Sequence, residues 1–173
     1  LPRRNLVRGS TEMIDANTIM QWLDTVPDPE IPVISLVDLG IVRAIDWEDD
    51  TCVVTITPTY SGCPAMFEME QSILKALSEH GVKAQVKTSL SPAWSTDWLS
   101  EKGRTALQNY GIAPPSEQAI DVSGITRRAG PVVACPLCHA TNTRVVSQFG
   151  STPCKALYRC MACGEPFDYF KAH

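Results

Sequence analysis

The stretch Thr57–Gly81, TPTYSGCPAMFEMEQSILKALSEHG, contains the change from a strand pattern to a helix pattern that organises this chain. The residues before it, Val53 to Ile56, are all β-branched and favour a strand. Pro64 suits the first helical position, because the N–H that it lacks would have no partner there. We therefore predict a strand-to-helix turn at Cys63. The apolar residues that follow at helical spacing are Met66, Met69, Ile73, Leu74 and Leu77.

Cys63 is placed by this pattern at or next to the N-cap of the predicted helix. A thiolate there would face unpaired N–H groups and the positive end of the helix dipole, which lower a thiol pKa from about 8.5 toward neutrality. The position predicts a nucleophile or a ligand for a soft metal. The alternative is a small buried residue that seals the turn, because free cysteine is among the residue types most often buried. Position alone leaves both interpretations open.

The flanking patterns supply the other elements of the fold. Asp15 is a candidate N-cap for the first helix, and a polar turn at 48–50 joins two strands into a hairpin. We expect Leu107 and Tyr110 on the buried side of the last helix. The simplest fold for this order of elements is an α+β fold, in which helices pack on a small mixed sheet. The predicted elements are helices at Ile14–Val26 and Thr96–Tyr110, and strands at Ile41–Asp46, Cys52–Thr57 and Val82–Thr88.

Charge is distributed unevenly along the 173 residues. Thr11–Gly130 carries 17 acidic and 8 basic side chains, a net charge of −9, whereas Pro131–His173 carries 2 and 4, a net charge of +2. The acidic part would repel a phosphate backbone, which disfavours nucleic-acid binding. No uninterrupted apolar run approaches the roughly 20 residues of a membrane span, and no leader pattern is present. We expect a soluble cytoplasmic protein whose cysteines are reduced.

Composition divides the chain into four segments. Leu1–Ser10 resembles a protease-site remnant of an expression vector, or else a natural extension, and is left out of the fold prediction. Residues 11–110 carry the α+β pattern. Residues 111–130 are rich in Gly, Pro and Ser and predict a linker. Residues 131–173 contain five of the seven cysteines and predict a zinc ribbon.

The C-terminal segment contains two C-x2-C pairs separated by 21 residues. Each pair can point two thiolates at one metal, and tetrahedral zinc takes four such ligands. The separation exceeds the usual range of about 15 to 20 residues by one. A unit of about 40 residues has too little core to fold alone, so we predict a closed structural zinc site, with an iron centre or a redox dithiol as the alternatives. The predicted ligands are Cys135, Cys138, Cys160 and Cys163.

Cys154 is left over from this ligand set. The site does not need it, so we interpret it as a bystander, with ligand exchange between Cys154 and Cys160 as the alternative. No catalytic motif is present, and His80 is too far along the predicted helix to activate Cys63. We therefore predict no catalytic residue.

Three carboxylates stand among apolar residues upstream of the hairpin: Asp28, Glu30 and Asp38. We expect them to be solvated side chains of turns. The alternative is that they contact a metal or a partner protein.

Four stretches of the chain resemble known families. DPEIPVISLVDLGIVR (28–43) and TPTYSGCPA (57–65) resemble the iron-sulfur assembly domain family that includes the bacterial SufT proteins. LSPAWSTDWLSEKGRTALQNYGIAPP (90–115) and QFGSTPCKALYRCMACGEPFDYFK (148–171) resemble the D-type component family of phenylacetyl-CoA epoxidase systems. The resemblance extends over nearly all of Ile14–Lys171, apart from the linker.

This resemblance implies an accessory subunit of aerobic phenylacetate degradation, not an enzyme on its own. The family's reactive cysteine corresponds to Cys63, which implies transient binding of iron or an iron-sulfur cluster, with Cys154 as a candidate second ligand. The implied partners are the oxygenase or reductase subunits of the epoxidase and iron-sulfur assembly proteins, with no membrane. Alternatives are a structural docking subunit of the oxygenase complex and, less favoured by charge, a zinc ribbon that binds nucleic acid.

Overall fold

The computed structural model describes residues 14–116 and 132–172. The first elements follow the predicted order of a helix, two strands, a second helix and a third strand. The elements are α1 (Ala16–Leu23), β1 (Val42–Glu48), β2 (Thr51–Ile56), α2 (Met66–Glu79), β3 (Ala84–Thr88), a 3-10 helix (Thr96–Trp98), α3 (Glu101–Asn109), β4 (Ile112–Ala113), β5 (Thr143–Ser147), β6 (Lys155–Cys160) and β7 (Pro166–Phe170).

The first sheet has the strand order β1-β2-β3. β1 and β2 form the predicted antiparallel hairpin, whereas β3 runs parallel to β2. A parallel neighbour requires a crossover connection, and α2 is that connection. The prediction of an α+β fold built on a small mixed sheet is confirmed. We call residues 14–110, which contain this sheet, the N-terminal region.

The start of α2 differs from the prediction. Its N-cap is Ala65, which has no side-chain hydrogen bond, and Pro64 lies before the cap rather than in the first turn. A tight turn precedes α2. In this turn the Cys63 N–H donates to the Tyr60 carbonyl over 3.1 Å. Cys63 therefore lies two residues before the N-cap. By contrast, the predicted cap of α1 is confirmed, because Asp15 accepts the Thr18 N–H over 3.0 Å.

The predicted helix at 96–110 is interrupted by a contact from a distant part of the chain. The Ser100 N–H donates to the Asp38 carbonyl over 2.9 Å, and Ser100 Oγ donates to the Asp38 carboxylate over 2.6 Å. Ser100 also caps α3 by accepting the Gly103 N–H, so α3 begins anew after it. Leu107 is buried as expected, but the prediction for Tyr110 is wrong, since its side chain is 55% exposed.

The second sheet has the strand order β4-β7-β6-β5. Residues 132–172, which supply β5 to β7, are called the C-terminal region. β4 pairs with β7 in parallel, so Ile112 and Ala113 belong to a sheet and not to a linker. The prediction that the linker begins at 111 is wrong for these two residues, because their backbone groups find partners on β7. The rest of the predicted linker beyond 116 lies outside the described residues, as do residues 1–13.

One hydrophobic core joins the two regions. It contains the buried faces of α1, α2 and the first sheet, together with Cys154 and Phe170 from the C-terminal region. The Phe170 ring meets the Trp94 ring edge to face at a centroid distance of 5.8 Å. A smaller second cluster surrounds Cys135 and Cys160. Among the described residues, no helix is both long enough and apolar enough to cross a membrane.

Candidate metal centre and thiol cleft

The four cysteines of the two C-x2-C pairs converge at one end of the second sheet. Their sulfur atoms all lie within 4.8 Å of one another. Cys135 Sγ is 3.8 Å from Cys163 Sγ, and Cys138 Sγ is 3.5 Å from Cys160 Sγ. A tetrahedral ion with metal–sulfur bonds of about 2.3 Å requires sulfur–sulfur distances of about 3.8 Å. The donor set therefore fits a tetrahedral thiophilic metal, and no other group of three or more donors occurs in the described part of the chain.

The two C-x2-C turns have the same backbone construction. The His139 N–H donates to the Cys135 carbonyl over 2.9 Å, and the Gly164 N–H donates to the Cys160 carbonyl over 3.1 Å. The residue after each pair has a positive φ, 62° at His139 and 82° at Gly164. This conformation reverses the chain after the second cysteine. Each turn therefore directs its two thiols toward the same point.

Cys135 and Cys160 are buried, whereas Cys138 and Cys163 are exposed. The Cys163 N–H points at Cys160 Sγ over 3.5 Å and lowers the pKa of that thiol to about 6, with help from the Ala162 N–H. Backbone donors of this kind stabilise the thiolate that a metal requires.

A small cleft with a volume of about 10 Å³ lies where the two regions meet, and we call it the thiol cleft. The N-terminal region contributes Cys63 from the loop between the end of β2 and the start of α2. The C-terminal region contributes Cys154 from the loop before β6. The lining residues are Glu30, Thr59, Tyr60, Cys63, Pro64, Pro153 and Cys154.

The expected lowering of the Cys63 pKa is wrong. Burial raises the pKa of this half-buried thiol, the Ala65 N–H offsets part of that effect, and the negative charges of Glu30 and Asp28 raise the pKa further. The helix-terminus argument failed mainly because the sulfur is half-buried, and acidic side chains of another loop add to the rise of its pKa. The thiol is therefore protonated near neutral pH, so that metal binding requires the loss of its proton.

Cys154 lies in the thiol cleft and outside the set of four sulfurs. It is buried, and its sulfur is 3.1 Å from Thr152 Oγ1. Burial also raises the pKa of the Cys154 thiol. The structure thus brings together Cys63 and Cys154, which are 91 positions apart in the sequence.

Comparison with known proteins covers both regions. A family model described as "Iron-sulfur cluster assembly protein" matches residues 16–88, and one described as "PaaD zinc beta ribbon domain" matches residues 119–171. The Escherichia coli (strain K12) protein named as the D-type component of a "Putative 1,2-phenylacetyl-CoA epoxidase" is 45% identical over 88% of this chain and 90% of its own length. The chain belongs to the PaaD family.

Two further matches cover about half of this PaaD-family chain. The "Fe-S protein maturation auxiliary factor" of Porphyromonas gingivalis (strain ATCC BAA-308 / W83) is 39% identical over 51% of this chain and 87% of its own length. A crystal structure of a "Domain of Unknown Function DUF59" from Bacillus anthracis is 28% identical, covers 53% of this chain and 89% of its own, and aligns with a TM-score of 0.49.

The expectation of solvated carboxylates is wrong for two of the three acidic residues that precede the hairpin in this PaaD-family chain. Asp28 is buried and accepts N–H groups of Glu30 and Ile31 over 2.9 and 2.8 Å, and burial raises its pKa to about 6. Burial alone would raise the pKa of Asp38, but hydrogen bonds from Lys102 and Ser100 outweigh it and lower that pKa. Turns between α1 and β1 place both carboxylates inward, where N–H, O–H or ammonium donors satisfy them.

Sequence reasoning missed Lys155, whose side chain is 6% exposed. Its Nζ lies 3.5 Å from Asp168 Oδ2, and its positive charge acts on both Asp28 and Cys154. The lysine therefore partly offsets the acidic side chains beside the thiol cleft. Its place next to Cys154 was visible in the sequence, but its burial depends on the contact between the two regions.

Proposed function

We propose that this chain is a non-catalytic accessory subunit of a phenylacetyl-CoA epoxidase, and that Cys63 assists in loading iron or an iron-sulfur cluster into that multicomponent monooxygenase. The observation that carries the proposal is the half-buried Cys63 thiol in a cleft that both regions line. The names of the relatives support the two parts of the proposal, one as an epoxidase component and the other as an iron-sulfur maturation factor.

The position of Cys63 supports a role in metal delivery more than one in catalysis. The described residues that line the cleft include no histidine that could act as the base for a nucleophilic thiol. Thiols bind iron well and can pass it to a partner. One thiol cannot hold a cluster alone, so further ligands must come from a partner chain, a small-molecule thiol or Cys154. The proposed partners are the oxygenase or reductase subunits and the iron-sulfur assembly proteins that supply them, in the cytoplasm.

The proposed metal of the four-cysteine centre is zinc with a structural role. Four thiols leave no open position for substrate, and the geometry fits a closed tetrahedral site. The bound ion would draw β5, β6 and the two C-x2-C turns together. Metal analysis of the purified chain should find about one zinc ion per chain, as expected for one closed four-ligand site.

The test of the proposed function replaces Cys63 by serine in cells that produce the whole epoxidase system. We expect the loss of most epoxidase activity and a lower iron or cluster content of the purified epoxidase. Cys52→Ala is the matched control, because Cys52 is also a free cysteine of the N-terminal region but is buried in the core. Full activity and normal cluster content with Cys63→Ser would contradict the proposal.

A structural docking role is the second candidate function. It is favoured by apolar side chains exposed on the C-terminal region, including Phe149 at 68% and Val146 at 55%. Such side chains mark a protein interface where they form a contiguous apolar surface. Phe149→Asp should then lower the recovery of the chain with the other epoxidase subunits, while Cys63→Ser leaves that recovery unchanged.

A further inference from the structure

The thiol cleft offers two thiols, those of Cys63 and Cys154. Proteins commonly hold an iron-sulfur cluster by four thiolates. A single metal ion can be held by fewer protein ligands, because solvent completes its coordination.

The two thiols of the cleft come from elements that hold them firmly. Cys63 lies in the turn between β2 and α2, and its N–H is bonded to the Tyr60 carbonyl. Cys154 is held on the other side, because its carbonyl accepts the Lys171 N–H over 3.0 Å and its side chain belongs to the large core. The packing of Phe170 against Trp94 keeps the C-terminal region against the N-terminal region. The pair of thiols is thus a product of the contact between the regions.

We propose that Cys63 and Cys154 together bind one thiophilic metal ion, and that the cargo of the thiol cleft is a single ferrous ion and not a preassembled cluster. The inference rests on the function proposed above and specifies its ligand. It also gives Cys154 a role, since the four-sulfur centre is complete without it.

The chemistry of binding is proton exchange without electron transfer. Each thiol loses its S–H proton to solvent and forms an S–Fe bond, so that one Fe²⁺ replaces two protons and the oxidation state stays the same. Glu30 also lines this cleft. Within the part of the chain that the structure describes, Cys63, Cys154 and Glu30 do not form a complete donor set like that of the four cysteines. Two sulfurs and solvent hold an ion loosely, which suits transfer to a partner.

The experiment uses the zinc-loaded full chain under anaerobic conditions and ferrous ion alone as the probe. We expect one Fe²⁺ to bind per chain, with thiolate-to-iron charge-transfer absorption. Cys63→Ser and Cys154→Ser should each weaken Fe²⁺ binding by at least roughly 10- to 100-fold, the loss typical for removal of a residue that contacts a metal ligand but not the metal. Cys52→Ala should bind iron like the unaltered chain, because Cys52 lies in the core and not in the cleft.

Cys154 is buried, so its serine variant could fail to fold for unrelated reasons. Cys154→Ala provides a second variant that introduces no buried hydroxyl, and a zinc content of one per chain after the titration verifies that the C-terminal region is intact. Loss of iron binding in a zinc-replete Cys154→Ala variant supports the proposal.

Three outcomes would overturn it. Iron binding that depends on Cys63 and is unchanged in both Cys154 variants would leave the proposed function standing with Cys63 as the sole thiol. Iron binding unaffected by any of these variants would place the ion elsewhere. Retention of a preassembled [2Fe–2S] cluster by a chain that does not bind Fe²⁺ would identify the cluster as cargo.

A different outcome would reject the proposed function alone. It is normal epoxidase activity with Cys63→Ser in a chain whose Fe²⁺ binding depends on both Cys63 and Cys154.

Discussion

The two regions of this PaaD-family chain are held together in different ways. The N-terminal region buries the faces of α1, α2 and the first sheet in a core that includes Ile73 and Leu77, both fully buried. The C-terminal region has a much smaller apolar cluster, in which two of the buried residues are the metal-site cysteines Cys135 and Cys160. Hydrophobic burial can therefore stabilise the first region, whereas the second, with the proposed zinc bound, would gain its stability from ligand bonds to the metal.

The boundary between the regions shows that this division is incomplete. Phe170 and Cys154 belong to the C-terminal region by sequence but to the large core by contact. The four cysteines converge at one end of the second sheet, and the large core anchors the other. The thiol cleft lies beside this anchored end, so its geometry depends on both.

The largest expected effect comes from removing ligands of the metal centre. Cys135→Ser combined with Cys160→Ser should abolish zinc binding and unfold the C-terminal region, because structural zinc supplies about 10 to 16 kcal/mol of apparent binding free energy in small zinc domains. Metal analysis and the NMR signals of β5 to β7 would measure this. The N-terminal region should keep its signals. Cys154→Ala is the control and should retain zinc. Retention of the sheet without metal would show that burial alone suffices.

Phe170→Ala tests the anchor between the regions. Phe170 is 0% exposed and contacts the Trp94 ring, so its loss should lower the free energy of unfolding by about 3 to 5 kcal/mol. Chemical denaturation monitored separately by tryptophan fluorescence and by zinc release would then show two transitions in place of one. The exposed Phe149 provides the control, since Phe149→Ala should leave both transitions unchanged. Coincident transitions in Phe170→Ala would contradict the anchoring role.

Leu77→Ala tests the N-terminal core alone. Leu77 is the last fully buried residue of α2, and its truncation should lower the free energy of unfolding by about 2 to 5 kcal/mol. The zinc content should stay the same. The matched control on the same helix is Phe67→Ala, because Phe67 is 72% exposed and a surface change of this kind usually stays within about 0.5 kcal/mol. Loss of zinc from folded Leu77→Ala would mean that the two regions cannot be separated energetically.

The smallest expected effects concern the paired turns of the metal centre. His139→Gly should stabilise the C-terminal region by roughly 1 kcal/mol, because glycine adopts a positive φ without strain. Gly164→Ala should destabilise the C-terminal region by a similar amount, roughly 1 kcal/mol, because the backbone is strained. The added Cβ itself meets no atom within 4 Å. Competition with a zinc chelator would measure both. Equal chelator resistance in both variants would contradict the proposed equivalence of the turns.

Local patterns predicted several elements because the forces involved act between neighbours in the chain. Asp15 was predicted as an N-cap, and the hairpin of β1 and β2 was predicted from its polar turn and β-branched strands. Where a distant residue intervened, the prediction failed. Ser100 ends one helical segment and begins another because it bonds to Asp38, 62 positions earlier.

The candidate sites divide in the same way. The four metal-site cysteines were predicted together, because each C-x2-C pair is a local turn with a recognisable spacing. For Cys63, the location between a strand and a helix was predicted correctly, but the direction of its pKa shift was not. Burial in the folded chain is the main cause of the rise, and the charges that add to it come from Glu30 and Asp28, more than 30 positions away in the sequence.

The sequence by itself determined the mixed sheet, the convergence of the four cysteines and the family, because periodicity, spacing and motif identity are written in short segments. The tertiary structure alone decided that Cys154 lies beside Cys63, that Asp28 and Lys155 are buried, and that β4 joins the second sheet. These features arise where separate segments exclude water from one another, and that exclusion depends on the packed chain as a whole.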